Sequence, residues 1–179
     1  MSAVIALPGL SGLNGVSGAQ GNTVTFSGIN DAVPGKYYDP TTTAPGPVDG
    51  NTLVIGLKSF IASSEYPYRR VAMDTISFRV AAPAGFYVSR LTYSHTVNLS
   101  TSRGGGARWA GNWIVGNAAA DLGSGGVTRR IARAIDLTGQ NKTVLPVSIS
   151  NALFAHGLSV TSGTASISRA SVRIELLPL

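Results

Sequence analysis

The 179-residue chain contains no cysteine, so neither a disulfide nor a thiolate metal centre can form. Charge is sparse as well: only 12% of residues are charged, about half of the usual ~25%. Ser, Thr, Gly and Asn make up the polar surface instead. Acids are scarcest, 8 Asp and Glu against 14 Lys and Arg, for a formal charge of +6. Most of these acids sit in turn-like contexts, and Asp74 and Glu175 alone flank strand patterns cleanly, which leaves little for a catalytic carboxylate pair. The two histidines, His95 and His156, have no second histidine or carboxylate at ligand spacing. No nucleophile-elbow sequence is present. No apolar run approaches the ~18 residues of a membrane span. The opening Met1–Leu10 lacks a basic stretch before its apolar residues and makes a poor signal peptide. Together these absences predict a protein that is not an enzyme and carries no cofactor.

What the chain does have is two-residue alternation. Ile76, Phe78 and Val80 alternate with Thr75, Ser77 and Arg79, as in a strand with one buried face. Pro83 and Gly85 supply a turn. On the return, Phe86 and Val88 share one parity while Leu91, Tyr93, Val97 and Leu99 share the other. A bulge at Ser89–Arg90 reconciles them. The stretch 74–99 is therefore expected to be a bulged antiparallel hairpin, with His95 pointing with the core set.

Further strands are expected at Thr23–Ile29, at Leu53–Ile61 as one central element, and at Val144–Ile149, where Pro146 suggests an edge. Ser159–Ile167 and Ser171–Leu177 close the fold. Residues 30–51 read as a long loop and Ser150–Ala155 as a helical turn. Val127–Leu137 fits either a helical stripe or a strand; its flanking turns favour a strand with its arginines at an edge or interface. Turn signals recur roughly every 8–12 residues, the spacing of an all-β antiparallel sandwich, jelly-roll or immunoglobulin-like. One domain, 23–179, is expected behind an extended N-terminal arm, 1–22.

That arm carries no charge, yet Val4, Ile5, Leu7, Leu10 and Leu13 need burial. An arm that pairs with a sheet edge, its own or a neighbour's, would bury them. Two aromatic pairs, Trp109 with Trp113 and Tyr66 with Tyr68, offer a glycan platform, with open space above Gly111 between the indoles. Burial tendency favours a core role for the tryptophans. From Arg79 to Arg133 the cations include Arg103, Arg108, Arg129, Arg130 and Arg133 against the single acid Asp121. They form either a solvated face or contacts to a polysaccharide or other polyanion. Nucleic acid is not expected, because no recognised binding motif is present. Asp31, Asp39 and Asp49 could gather around calcium, although Asx turns explain the same residues.

Asn112–Val115, Asp136–Thr143, Val147–Ser150 with Leu153–Ala155, and the terminal Val172–Leu177 resemble small, mostly uncharacterised exported β-sandwich proteins of Gram-negative bacteria. The resemblance covers about residues 73–179. It implies an extracellular or cell-surface setting and brings no catalytic residues with it.

The expected function is that of a non-enzymatic extracellular structural protein that self-associates, as a fibre or surface-layer subunit, by edge-strand or arm exchange. Two alternatives stand beside it: a carbohydrate-binding module using the aromatics, and a viral coat or decoration subunit.

Overall fold

The computed structural model describes residues 23–32, 36–48, 50–65, 69–102, 105–157 and 162–179. Within them the chain is all-β: strands joined by turns and loops, without a helix. The elements are β1 (Thr25–Asp31), β2 (Tyr38–Pro45), β3 (Thr52–Leu57), β4 (Ile61–Glu65), β5 (Arg69–Ala81) and β6 (Phe86–Thr101). After these come β7 (Gly106–Val115), β8 (Ala118–Gly125), β9 (Arg129–Asp136), β10 (Val144–His156) and β11 (Ser162–Pro178). Two antiparallel sheets face each other. One runs β1-β5-β10-β7-β8; the other runs β2-β3-β11-β6-β9, with β4 also paired to β11.

Alternation decides which side chains enter the space between the sheets. Ile76, Phe78 and Val80 of β5, Trp109, Trp113 and Val115 of β7, and Leu145, Val147, Ile149 and Leu153 of β10 point inward from the first sheet. Leu91, Tyr93 and Val97 of β6, Ile131 and Ile135 of β9, and Val172 and Ile174 of β11 meet them from the second. Their burial is the main stabilising contribution, at about 25 cal/mol per Å² of apolar surface.

Several expectations give way here. The stretch 74–99 is not a hairpin: β5 pairs with β1 and β10, whereas β6 pairs with β9 and β11 in the other sheet. The Pro83–Gly85 turn crosses between sheets instead of closing a ladder. Apolar alternation names a buried face but no partner, so the nearest strand in sequence is only a default. The bulge itself lies where the parity places it. The β6–β11 register shifts between Glu175 and Leu176, opposite Arg90 and Val88, and Tyr87, Val88 and Ser89 are buried in succession.

Leu53–Ile61 is two strands. The chain breaks at Lys58–Phe60, Ser59 takes a φ of 38°, and Phe60 turns into the core. The expected loop 30–51 contains β2, an edge strand beside β3. Ser150–Ala155 is not a helical turn but the second half of β10. That strand is also central rather than an edge, between β5 and β7. Pro146 is tolerated because its carbonyl already faces the β7–β8 turn, accepting from Gly116 N–H at 2.8 Å. In a strand the N and O of one residue point the same way, so its missing N–H falls just past the β7 ladder, which begins at Val147. Val127–Leu137 resolves as the strand β9, at an edge.

Candidate functional site

The polar chemistry of the interior converges on Asn151 of β10. Its Oδ1 accepts the indole N–H of Trp109 at 3.0 Å. Its amide donates to the hydroxyls of Tyr38 and Tyr93 at 2.7 and 3.1 Å. Four strands from both sheets are thereby tied at one point. Burial raises both phenol pKa values above the ordinary range, Tyr38 further by the neighbouring Tyr93 charge. Neither phenol is poised to titrate.

Trp109 and Trp113 are 1% and 0% exposed, so the glycan platform is corrected: their faces are core. The space expected above Gly111 is filled, because a Cβ there would lie 2.6 Å from Asn151 Oδ1 and 3.1 Å from the Trp109 ring. Tyr66 and Tyr68 lie outside the described residues.

His95 is buried as its parity predicts, 4.9 Å from the Tyr93 ring and 5.1 Å from Trp109 between ring centres. Neither ring nitrogen has a hydrogen-bond partner among the described residues. Burial alone lowers its pKa from 6.5 to about 4, so it is a neutral core side chain. His156 ends β10 on the outer side of the sheet, beside Arg69 and Gly106.

Asp74 is also interior. Its Oδ2 accepts the backbone N–H groups of Tyr37 and Tyr38 at 3.2 and 3.3 Å, and its Oδ1 that of Thr75 at 2.8 Å. It binds β5 to the start of β2. Asp39 accepts from the hydroxyl and N–H of Thr41 at 2.6 and 3.1 Å and faces Lys58 at 3.9 Å. The Thr41 hydroxyl bond, foremost, holds its carboxyl below the usual range. This is the Asx turn that competed with calcium. Asp31 is buried on β1, and Asp49 lies outside the described residues. Among the described residues no three His, Asp or Glu side chains gather as a metal site would require.

The candidate polyanion arginines do not form one patch. Arg129 and Arg133 share the inward parity of β9 and lean across the open seam toward β8. There Arg129 donates to the Ser124 carbonyl at 2.5 Å and stands 5.8 Å over the Trp109 ring. Arg130 points outward on the second sheet. Arg108 points outward on the first sheet, and Arg103 lies outside the described residues. Inward-leaning arginines on an edge strand discourage another strand from pairing there.

Sequence reasoning missed a different grouping. β10 carries outward His156, Phe154 and Ala152 between β5 and β7. His156 is paired with Arg69, and Phe154 lies between Val71 and Arg108. Arg69, Arg70, Arg108, Phe154 and His156 line one shallow concavity at the end of this face. Running the β5 alternation upstream from Met73 through Val71 to Arg69 would have put Arg69 on the same face; the expected strand begins only at Asp74. The face beyond is aliphatic, with Met73 62% and Ile114 46% exposed. The outer face of the second sheet carries hydroxyl and amide pairs instead, such as Ser94 with Ser171 at 3.1 Å and Asn98 with Ser168 at 3.1 Å.

Compared with known proteins, the chain matches no family model and no curated sequence. What the fold defines is therefore a class: an all-β protein of two facing antiparallel sheets.

Proposed function

We propose that this protein is a non-enzymatic structural subunit that self-associates, built on a jelly roll and joined to its neighbours through the β1 edge and the N-terminal arm. The supporting observation is a contrast between edges. β9 is guarded by Arg129, Arg130 and Arg133. Among the described residues β1 is an edge of the other sheet; it carries no Lys or Arg, and it follows 22 residues without a charged side chain. An edge without a cation, fed by an uncharged apolar stretch, is a template for strand addition.

Strand order supports the jelly-roll type. Taking β3 with β4 as one broken strand, β3-β11-β6-β9 faces β5-β10-β7-β8. Among these eight strands the chain crosses between the sheets at each connection except β7–β8. Eight strands in two four-stranded sheets are the jelly-roll arrangement, shared by shell-forming coat subunits and by sugar-binding domains. By analogy of architecture a closed coat is a natural product of such a subunit. The enclosed indoles speak against sugar binding through Trp109 and Trp113. An extracellular or cell-surface setting rests on the resemblance of residues 73–179; a fibre in place of a shell would follow from edge-strand or arm exchange that does not close on itself.

Deleting residues 1–13 tests the arm. We expect the truncated protein to keep its fold, read as an unchanged near-ultraviolet circular dichroism spectrum, and to lose assembly in light scattering. Assembly and melting identical to the full chain would refute a role for the arm.

A further inference from the structure

We propose that the Arg69–Arg108 end of the first sheet's outer face binds single-stranded polynucleotide without regard to sequence, its phosphates on the guanidinium groups and a base laid on Phe154. The proposal stands apart from self-association, since it uses neither the β1 edge nor the arm.

Geometry brings the cations together. β10 separates Arg69 on β5 from Arg108 on β7, with His156 and Phe154 rising between them. At the ~4.8 Å strand spacing their backbones lie on the order of 10 Å apart, within reach of one or two phosphates. Arg70 opens onto the same concavity. Among the described residues none of the three has a carboxylate at ion-pair distance; the ion pair there is Lys58–Asp39. The acid on this face, Asp121, lies beyond Asn112 further along the sheet, and its Oδ1 already accepts the Gly123 N–H at 2.7 Å. The concavity stays open because the His156 ring rests against Gly106, where a Cβ would collide with it.

Arginine forks fit phosphate, sulfate and carboxylate alike, so the remaining lining decides the class. Around the cations stand Val71, Ala110 and Phe154, with Ser124 and His156 as the other polar side chains. A polysaccharide would find few side-chain partners for its hydroxyls beyond the arginines, Ser124 and His156, and among the described residues no second exposed aromatic to clasp a sugar ring. An acyl chain would stay half wet, because Val71 is 55% and Phe154 39% exposed, on a face and not in a tunnel. A nucleobase needs only a flat ring to stack on, and a basic groove with an aromatic is the ordinary single-strand platform. No motif marks it in the sequence because its residues come from three separate strands.

The test is fluorescence anisotropy of the full chain with a labelled, mixed-sequence 12-nucleotide single strand across a salt series. We expect saturable binding with a log–log salt slope of about −2, from three phosphate contacts at ~0.7 each. Arg69→Gln and Arg108→Gln should each flatten the slope by about 0.7. Phe154→Ala should weaken binding about 10- to 100-fold at unchanged slope. Phe154→Leu, which keeps the apolar contact, should behave like the alanine variant. Arg130→Gln, on the opposite sheet, should change nothing. Absence of saturable binding at low salt, or binding that both arginine variants retain in full, overturns the proposal. So does a sulfated oligosaccharide of equal charge bound as tightly and indifferent to Phe154→Ala, or binding confined to phosphatidylglycerol vesicles.

Discussion

Asn151 Oδ1 accepts the Trp109 indole N–H at 3.0 Å while the same amide donates to two phenols on the opposite sheet. One side chain thus joins β7 and β10 to β2 and β6 through the middle of an apolar core. Asparagine suits the position because it offers an acceptor on one side and donors on the other. Buried polar groups of this kind are costly when unmatched and orienting when matched.

Replacing Asn151 by Ala should therefore destabilise the fold by about 3 kcal/mol, since an indole N–H and two phenols lose their buried partner together. Urea unfolding followed by tryptophan fluorescence reads this as a lower midpoint at unchanged slope. An effect below about 1 kcal/mol would mean that the cluster is not holding the sheets together.

Stability should also depend on pH through His95. Its pKa falls from 6.5 to about 4 on folding, so below pH 6.5 the unfolded chain takes up a proton that the folded chain refuses. Stability is full above pH 6.5 and declines as pH falls toward about 4, by up to about 3 kcal/mol for a shift of this size. The carboxyls of Asp39 and Asp136 are held low by hydrogen bonds, and their contribution is lost only in more acid solution, below the ordinary carboxylate pKa. Urea midpoints measured at pH 7, 6, 5 and 4.5 should fall in the native protein and stay nearly level in His95→Leu. Parallel curves for the two proteins would contradict the assignment.

The edge arginines predict a different kind of effect. Arg130→Thr with Arg133→Thr removes two charges from β9 without emptying the core. We expect the melting temperature to change little and irregular aggregates to form at micromolar concentration, seen by light scattering and thioflavin fluorescence. A double variant that remains as soluble as the parent would show that β9 is protected by something else.

How much of this was legible in the residues depends on distance along the chain. Alternation identified the inward faces of β5 and β6, the burial of His95 and the bulge at Ser89–Arg90, because each is a property of a few consecutive side chains. Partners were not legible. β5 and β6 looked like one hairpin, yet β5 is matched to β10 over its whole length, a relation spanning some 70 positions that neither strand encodes alone. Asp74 illustrates the same limit: its carboxylate binds the N–H groups of Tyr37 and Tyr38, and residues 30–51 looked like a loop because their strand is held partly by that distant acid. The arginines were visible as a count but misleading as a cluster. Arg108 and Arg130 lie on opposite faces of the sandwich, while Arg69 and Arg108, 39 positions apart in sequence, share one concavity.

Sedimentation velocity of the intact chain from low to high micromolar concentration, with negative-stain electron microscopy of the fastest fraction, tests self-association most directly. A subunit that exists to join copies of itself should sediment well beyond its 18.4 kDa monomer mass and yield ordered shells or fibres on the grid. A single monomeric boundary at every concentration, with empty grids, would contradict it.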